Sequence, residues 1–456
     1  MYDCVVIGGG VVGITIARSA VLAGLRVVLL EASGDLLTGS SGNNSGIACT
    51  GVDATEGTLE RALIRDAISQ IRGFCRDHNV PNRPCGSLVC VWPWDTDDDA
   101  SNGDNICGKK SPQNKLEEVA RESWDAGDTH AAVLSTEEVK RLEPNLSPKC
   151  QGAVHIKGEI VLDPWLFPMA LLVQARENGL TVYTHFQYSA PESHFDEKEK
   201  VWTLYRKKSD VDAVPTTEMN TSDSPVPDHI QAKVVINATG INCDLTQSDT
   251  ADCPPATWES RPRRGQYRIF NMTDKTRFEC PIQPIPNQHS KGIFVFSSLY
   301  NQIFVGPTAL DQESRTDREP DEAVAAQLSN LGTNILPGLD IQADFVGEYV
   351  GIRPGTDRRD YQFHAYPKQR WISAAGIRST GLTASLGIGR YVIKSLLPTM
   401  LDTSDRGNEG TTLAQLPSLE RIIADFKARD DGYVTLYGHD YRVTHPLTAL
   451  GWKYYE

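Results

Sequence analysis

At 456 residues the chain has room for two or three domains, and its 40% hydrophobic content is enough for a substantial core. Its 45 basic and 59 acidic residues leave a formal charge of −14, which argues against nucleic acid or an anionic membrane as the main partner. An anionic small molecule is not excluded, because a few local Arg or Lys residues decide that. No uninterrupted apolar run has the length of an integral membrane segment. The first apolar stretch, from Cys4 to Ala17, contains four glycines and lacks the flanks of a signal or transit peptide, so a cytoplasmic location is expected. The ten cysteines include no C-x-x-C pair, which predicts thiols in a reducing compartment and no metal site.

In chain order, Asp3 to Ile7 reads as a buried strand, Val11 to Ala23 as a helix ended by Gly24, and "LRVVLLE" as a second buried strand. Strand, helix and strand in this order predict a right-handed parallel βαβ unit. A helix is expected over 57–78, short strands around "CGSLVCVW", and a helix over 164–178 ended by Gly179. "TVYTHFQY" and "KVWTLYRK" alternate like strands of a small meander, and "AKVVINATG" is another buried strand. The acidic segment 95–115 and the Ser/Thr/Pro-rich segment 210–228 have no apolar periodicity and read as inserted loops. From Trp258 to Pro307 short strands are expected, then a late strand in "RWISAAGI" and a last large helix over 383–397. The tail reads as a hairpin turning at Gly438.

Gly8, Gly10 and Gly13 form Gly-x-Gly-x-x-Gly between a strand and a helix. Gly8 permits the tight turn, Gly10 lets a pyrophosphate approach the backbone, and Gly13 allows close helix–strand packing. Glu31 closes the second strand, where an acid binds a ribose hydroxyl pair, and the absence of an adjacent Arg disfavours NADP. The small polar residues of "GSSGNNSG" (39–46) suit a second phosphate and a ribityl chain, or serve only as a polar loop. "VVINATG" and "AAGIRSTGLTAS" add two further glycine turns, the second opening a helix whose N-terminus can face the electron-rich end of a reduced flavin.

In their order and spacing, "VVIGGGVVG", "NNSGIACTG", "LDPWLFPMAL", "VVINATG", "RRGQY", "FVGPTALD", "GIRPGTD" and "AAGIRSTGLTAS" resemble the D-amino-acid oxidase-like FAD superfamily. Within it they resemble the glycerol-3-phosphate oxidase/dehydrogenase and L-2-hydroxyglutarate dehydrogenase branch. The resemblance covers nearly the whole chain apart from the two insertions and the tail. It implies an α/β fold with a Rossmann-like parallel-sheet FAD domain interleaved with a mostly antiparallel-sheet substrate domain. FAD-binding parts are then expected at 1–80, 151–250 and 346–400, substrate parts at 81–150 and 251–345, and a separate tail at 401–456. It also implies that Gly8, Gly10, Gly13, Glu31, Ser40, Ser41, Asn44, Ser45, Gly46, Gly240, Gly376, Gly381, Leu382 and Thr383 touch FAD.

For the substrate, a bidentate Arg is the best clamp on a carboxylate or phosphate. Arg353 resembles the arginine of the family's Gly-x-Arg-Pro motif that reaches the substrate anion. Arg264 and Arg378 add charge or serve as structural ion pairs. Alcohol oxidation needs a proton acceptor. Where the branch has a His after Asn-Ser-Gly, this chain has Cys49, a poor base unless its pKa is lowered. Lys291 resembles the lysine of a Gly-Lys-Gly turn in the glycerol-3-phosphate group, and His289 is a weaker candidate. His445 reads as structural. These residues and the resemblance predict hydride transfer from a 2-hydroxy acid or glycerol 3-phosphate to FAD; they do not decide between oxygen and a quinone as electron acceptor. An amine or amino-acid oxidase is the first alternative, and a non-catalytic flavin-binding protein the second.

Overall fold

The computed structural model describes residues 1–94, 111–208, 225–285, 292–401 and 412–455. The apolar runs of the first βαβ unit become strands buried on both faces, as a covered parallel sheet requires. Tyr2–Ile7 lies between Val27–Leu30 and His229–Asn237, all parallel. Trp371–Ala375 continues the parallel set beyond His229–Asn237, and Thr181–Tyr183 does so beyond Val27–Leu30. Antiparallel Gln362–Tyr366 borders Trp371–Ala375, while Val201–Arg206, with Tyr188–Asp196 beyond it, pairs with the start of His229–Asn237 on the same edge that Trp371–Ala375 pairs at its end. This makes an eight-stranded sheet among the described residues. The helices Val11–Leu22, Leu59–Asp77, Leu166–Glu177 and Gly381–Tyr391 share one apolar core on its face.

The second sheet has nine described strands, and Ser260–Asn271 is its longest axis, paired along almost its full length with Phe345–Thr356. Its pairings are antiparallel except for Ser87–Cys90 beside Ile282–Pro284. The helix Glu322–Ile335 covers one face through Leu328 and Ile335. Ala153–Ile156 and Phe345–Thr356 both belong to this sheet, so it takes in chain on the far side of the divisions expected at 150 and 345. No helix among the described residues is long and apolar enough to cross a membrane.

A buried carboxylate ties the two sheets to the tail. Asp163 is fully buried, and its Oδ1 accepts from the Trp165 and Leu166 amides at 2.8 and 2.6 Å, capping the Leu166–Glu177 helix. The same oxygen accepts from Thr448 at 3.0 Å, and Oδ2 accepts from the Tyr300 hydroxyl at 2.5 Å. Asp163→Ala leaves four buried donors without their acceptor. It should lower unfolding stability by about 3 kcal/mol or more, read from urea midpoints. Asp163→Asn, which keeps one acceptor oxygen, should lose less, and equal losses would contradict this account of the knot.

Several expectations are corrected. "TVYTHFQY" is divided: Thr181–Tyr183 joins the parallel set, and the meander is made by Tyr188–Asp196, Val201–Arg206 and His229–Asn237. Ser260–Asn271 is one twelve-residue strand, although Pro262 and Gly265 interrupt its apolar pattern. Of the expected insertion 95–115, residues 95–110 lie outside the described residues. Pro112 to Lys115 open a helix, because Ser111 caps it and its stripe of Leu116, Val119 and Ala120 falls beyond the polar window. The expected loop 210–228 lies mostly outside the described residues. The tail holds the hairpin Tyr433–Leu436/His439–Arg442 and also two helices, Leu419–Ala428 and Pro446–Lys453.

Candidate functional site

The parallel strands end together: Ile7 sits beside Leu30 and Asn237, and Asn237 beside Ser373. The bends that follow therefore line one carboxyl edge, the place where open α/β sheets bind ligands. Gly8, Gly240 and Gly376 have φ of +114°, +60° and +69°. A Cβ on Gly13 would stand 2.0 Å from the Gly8 carbonyl oxygen, so the first bend closes only with glycine there. A Cβ on Gly10 would meet only the Ser41 hydroxyl, at 3.1 Å. The demand for glycine at that position comes from the open side, which suits backbone approach by a diphosphate. Gly381 opens its helix within van der Waals reach of Val11 and Val12, so two helix N-termini converge beside the bend. Leu382 and Thr383 follow, both buried.

Glu31 is already engaged with the bend. Its Oε2 accepts from the Gly9 amide at 2.7 Å and its Oε1 from Ser33 at 2.9 Å. A carboxylate has further lone pairs for a ribose hydroxyl. The 39–46 segment is built rather than loose. Ser41 Oγ accepts from the Val11 amide at 3.0 Å, and Asn44 bonds the Ser41 carbonyl and the Gly46 amide at 2.7 and 2.8 Å. Ser40 donates to the Ile352 carbonyl at 2.6 Å, and Tyr349 donates to the Asn44 carbonyl at 3.2 Å. These two bonds pin the segment along Phe345–Thr356, directly beside Arg353. Ser45 is half-buried between them and Gly46.

Arg353 lies across Gly265 of the paired strand; a Cβ there would stand 2.7 Å from Nη2. Its guanidinium donates to the Arg264 and Thr308 carbonyls at 3.2 and 3.0 Å. Burial, aided by nearby Arg263, pulls its pKa below the ordinary value against the opposing effect of Tyr267. No carboxylate among the described residues forms an ion pair with it. The remaining donors of this fork are available to a bound anion. Arg264 instead donates to the Glu319 carbonyl and lies 3.9 Å from Asp317. Arg378 pairs with buried Glu60 at 2.5 Å, so both take the structural alternative.

Cys49 is tied to the same edge: its amide donates to Thr383 Oγ1 at 3.2 Å, and the sulfur lies 3.5 Å from that hydroxyl. Lys291 and His289 lie outside the described residues. His445 caps the Pro446–Lys453 helix through Nδ1 at 3.2 Å, and burial pushes its pKa down to about 3.

One acidic group escaped the sequence reading. Glu159 directly precedes Ile160, whose strand partner Ala48 directly precedes Cys49. It is 3% exposed, and its carboxyl accepts from Gln283 at 2.8 Å. Burial, with a smaller push from Asp53, raises its pKa to about 7 against the Ser87 hydroxyl, Gln283 and the Thr50 backbone. Its only sequence signal is an acid placed directly before the apolar run "IVL". Because the folded value lies above the ordinary 4.5, the native state holds an extra proton between the two. That contribution is fully present below about 4.5 and is lost as pH rises through about 7, at most about 3 kcal/mol. The melting temperature of the wild type should therefore fall relative to Glu159→Gln over this window. Parallel profiles would contradict the assignment.

Residues 3–395 match the family model described as FAD dependent oxidoreductase. A glycerol 3-phosphate dehydrogenase of Caloramator mitchellensis is 27% identical over 397 residues, 87% of this chain and 74% of that one. A mitochondrial L-2-hydroxyglutarate dehydrogenase of Nematostella vectensis is 34% identical over 321 residues, 68% of this chain and 62% of that one. Among solved structures, FAD-bound L-alpha-glycerophosphate oxidase from Mycoplasma pneumoniae matches with TM-score 0.71 at 22% identity, covering 87% of this chain and 94% of that one. Glycine oxidase from Geobacillus kaustophilus matches with TM-score 0.66 at 17% identity, covering 90% and 98%.

Proposed function

The chain belongs to the FAD-dependent oxidoreductase family, and on that premise we propose that it oxidises a small anionic alcohol, glycerol 3-phosphate or a 2-hydroxy acid. FAD is its cofactor, and bound FAD supplies the acceptor for the hydride that leaves the substrate carbon. The residues toward FAD in this reading are those of the aligned bends and the 39–46 segment: Gly8, Gly10, Gly13, Glu31, Ser40, Ser41, Asn44, Ser45, Gly46, Gly240, Gly376, Gly381, Leu382 and Thr383. They are carried mainly by 1–80, 151–250 and 346–400, with the substrate held over the second sheet.

The observation that carries the substrate class is Arg353, a guanidinium with no carboxylate ion-pair partner among the described residues, next in sequence to the residue that pins Ser40. A fork fixed by two carbonyls is pre-organised for the two oxygens of a carboxylate or phosphate. Relatives named for glycerol 3-phosphate and L-2-hydroxyglutarate, both anions, support this class. Lys291 and Cys49 are the proton-acceptor candidates, and oxygen or a quinone is the final electron acceptor. A cytosolic setting belongs to the same reading.

One observation favours a second reading. Cys49 stands where the branch has a His, and an amine can lose its proton to solvent, so an amine or amino-acid oxidase would not miss that base. Anaerobic mixing of the flavoprotein with glycerol 3-phosphate, 2-hydroxy acids and amino acids separates the two. Bleaching of the flavin band by the hydroxylated anions is the expected result. Bleaching by amines alone would replace this reading with the second, and bleaching by none would leave a non-catalytic flavin-binding protein.

A further inference from the structure

Between Leu310–Asp311 and Glu322–Ile335 the chain leaves the second sheet and crosses to the nucleotide edge of the first. This loop, 312–320, is anchored just after the Gly240 bend and just ahead of the 39–46 segment. Arg315 makes a two-pronged pair with Asp244, at 2.7 and 2.8 Å, and also donates to the Ile241 carbonyl. Both partners lie directly after the Gly240 bend. Asp244 is buried and also accepts from the Ser260 amide at 2.9 Å. Burial alone would raise its carboxyl, but Arg315 and Ser260 outweigh that and hold it at about 2. Three residues on, Arg318 donates to the Thr38 carbonyl at 3.1 Å, two residues before Ser40. Arg264 donates to the Glu319 carbonyl, and the Ser314 hydroxyl accepts from the Asp317 amide at 3.0 Å, so the loop is braced along its length.

We propose that this loop is a strap across the bound dinucleotide, with Arg318 as a cationic contact to the FAD diphosphate and the Arg315–Asp244 pair as its latch. Ser41, three residues after Thr38, caps the helix N-terminus that faces a diphosphate. Arg318 is thus held beside the position of greatest negative charge on the cofactor. The residue is exposed overall, partial burial of its guanidinium lowers its pKa below the ordinary value, and no carboxylate among the described residues forms an ion pair with it. A guanidinium placed this way, with several donors left over, matches phosphate oxygens. The latch carries its positive end on the loop that leaves the second sheet at Leu310–Asp311 and its negative end on the helix Cys243–Ser248 beside the first. Closing it joins the two halves around the cofactor.

The test is FAD retention by purified holoprotein, measured as flavin absorbance left with the protein after serial dilution and ultrafiltration. Arg318→Met should raise the FAD Kd by about 10- to 100-fold, the range for losing a hydrogen bond to a charged group, and should make the Kd less dependent on salt. Arg318→Lys, which keeps the charge, should recover much of the affinity. Asp244→Asn should speed FAD release, and the swapped pair Asp244→Arg with Arg315→Asp should partly restore it. A wild-type Kd and salt dependence in Arg318→Met would overturn the proposal. Equal losses in the Met and Lys variants would also overturn it, since the charge would then have no part.

Discussion

Arg353→Met should raise KM for an anionic substrate by about 100-fold or more, the expected cost of losing a two-pronged charged hydrogen bond. The holoprotein should keep its FAD, because the guanidinium bonds only the Arg264 and Thr308 carbonyls and none of the residues of the glycine bends. Arg353→Lys should recover little, since an ammonium cannot reach two carbonyls and two anion oxygens with one planar fork. Initial-rate measurements across substrate concentration separate the outcomes. A fall in kcat with unchanged KM would mean that Arg353 does not hold the ground-state anion.

Gly13→Val should abolish FAD binding and lower stability sharply. Even a single added carbon would lie 2.0 Å from the Gly8 carbonyl and 3.4 Å from Val6. The first obstacle is backbone, so relief requires the Val11–Leu22 helix to lift from the strand, which carries the bend away from Ser41 and Glu31. Purified Gly13→Val should be colourless and should not recover a flavin spectrum with added FAD. A yellow protein with wild-type melting would mean that close packing at this bend is dispensable.

Both predictions rest on residues that stand out in the sequence, Gly13 by type and spacing and Arg353 by its resemblance to the arginine of the family's Gly-x-Arg-Pro motif. Glycine at 8 and 13 declares a backbone requirement directly, because no other residue satisfies a φ of +114° or a 2.0 Å approach. The buried parallel strands were legible for a similar reason, since uninterrupted Val and Leu runs suit only a sheet covered on both faces. Long-range polar partnerships were not legible. Nothing near Asp163 in sequence announces Tyr300 or Thr448, and nothing near Asp244 announces Arg315. Leu59 and Glu60 find their helix-capping acceptor in Asp360, about 300 residues away. The helix Glu322–Ile335 escaped because Ala, Ser, Asn and Gly dilute its apolar stripe. Within Ser260–Asn271, Pro262 and Gly265 look like strand breaks, whereas Gly265 leaves room for Arg353. The residue that obscures the strand is thus the one that makes space for the Arg353 side chain.

The central claim, an anionic alcohol held by Arg353 while its hydride passes to FAD, is tested most directly by anaerobic single-turnover reduction. Substrate carrying deuterium at the oxidised carbon is compared with unlabelled substrate. The account predicts saturable bleaching of the flavin by an anionic alcohol, slowed by the label, with saturation shifted to much higher concentration in Arg353→Met. A flavin that no anionic alcohol bleaches, or one bleached equally well by neutral and anionic alcohols, would contradict it.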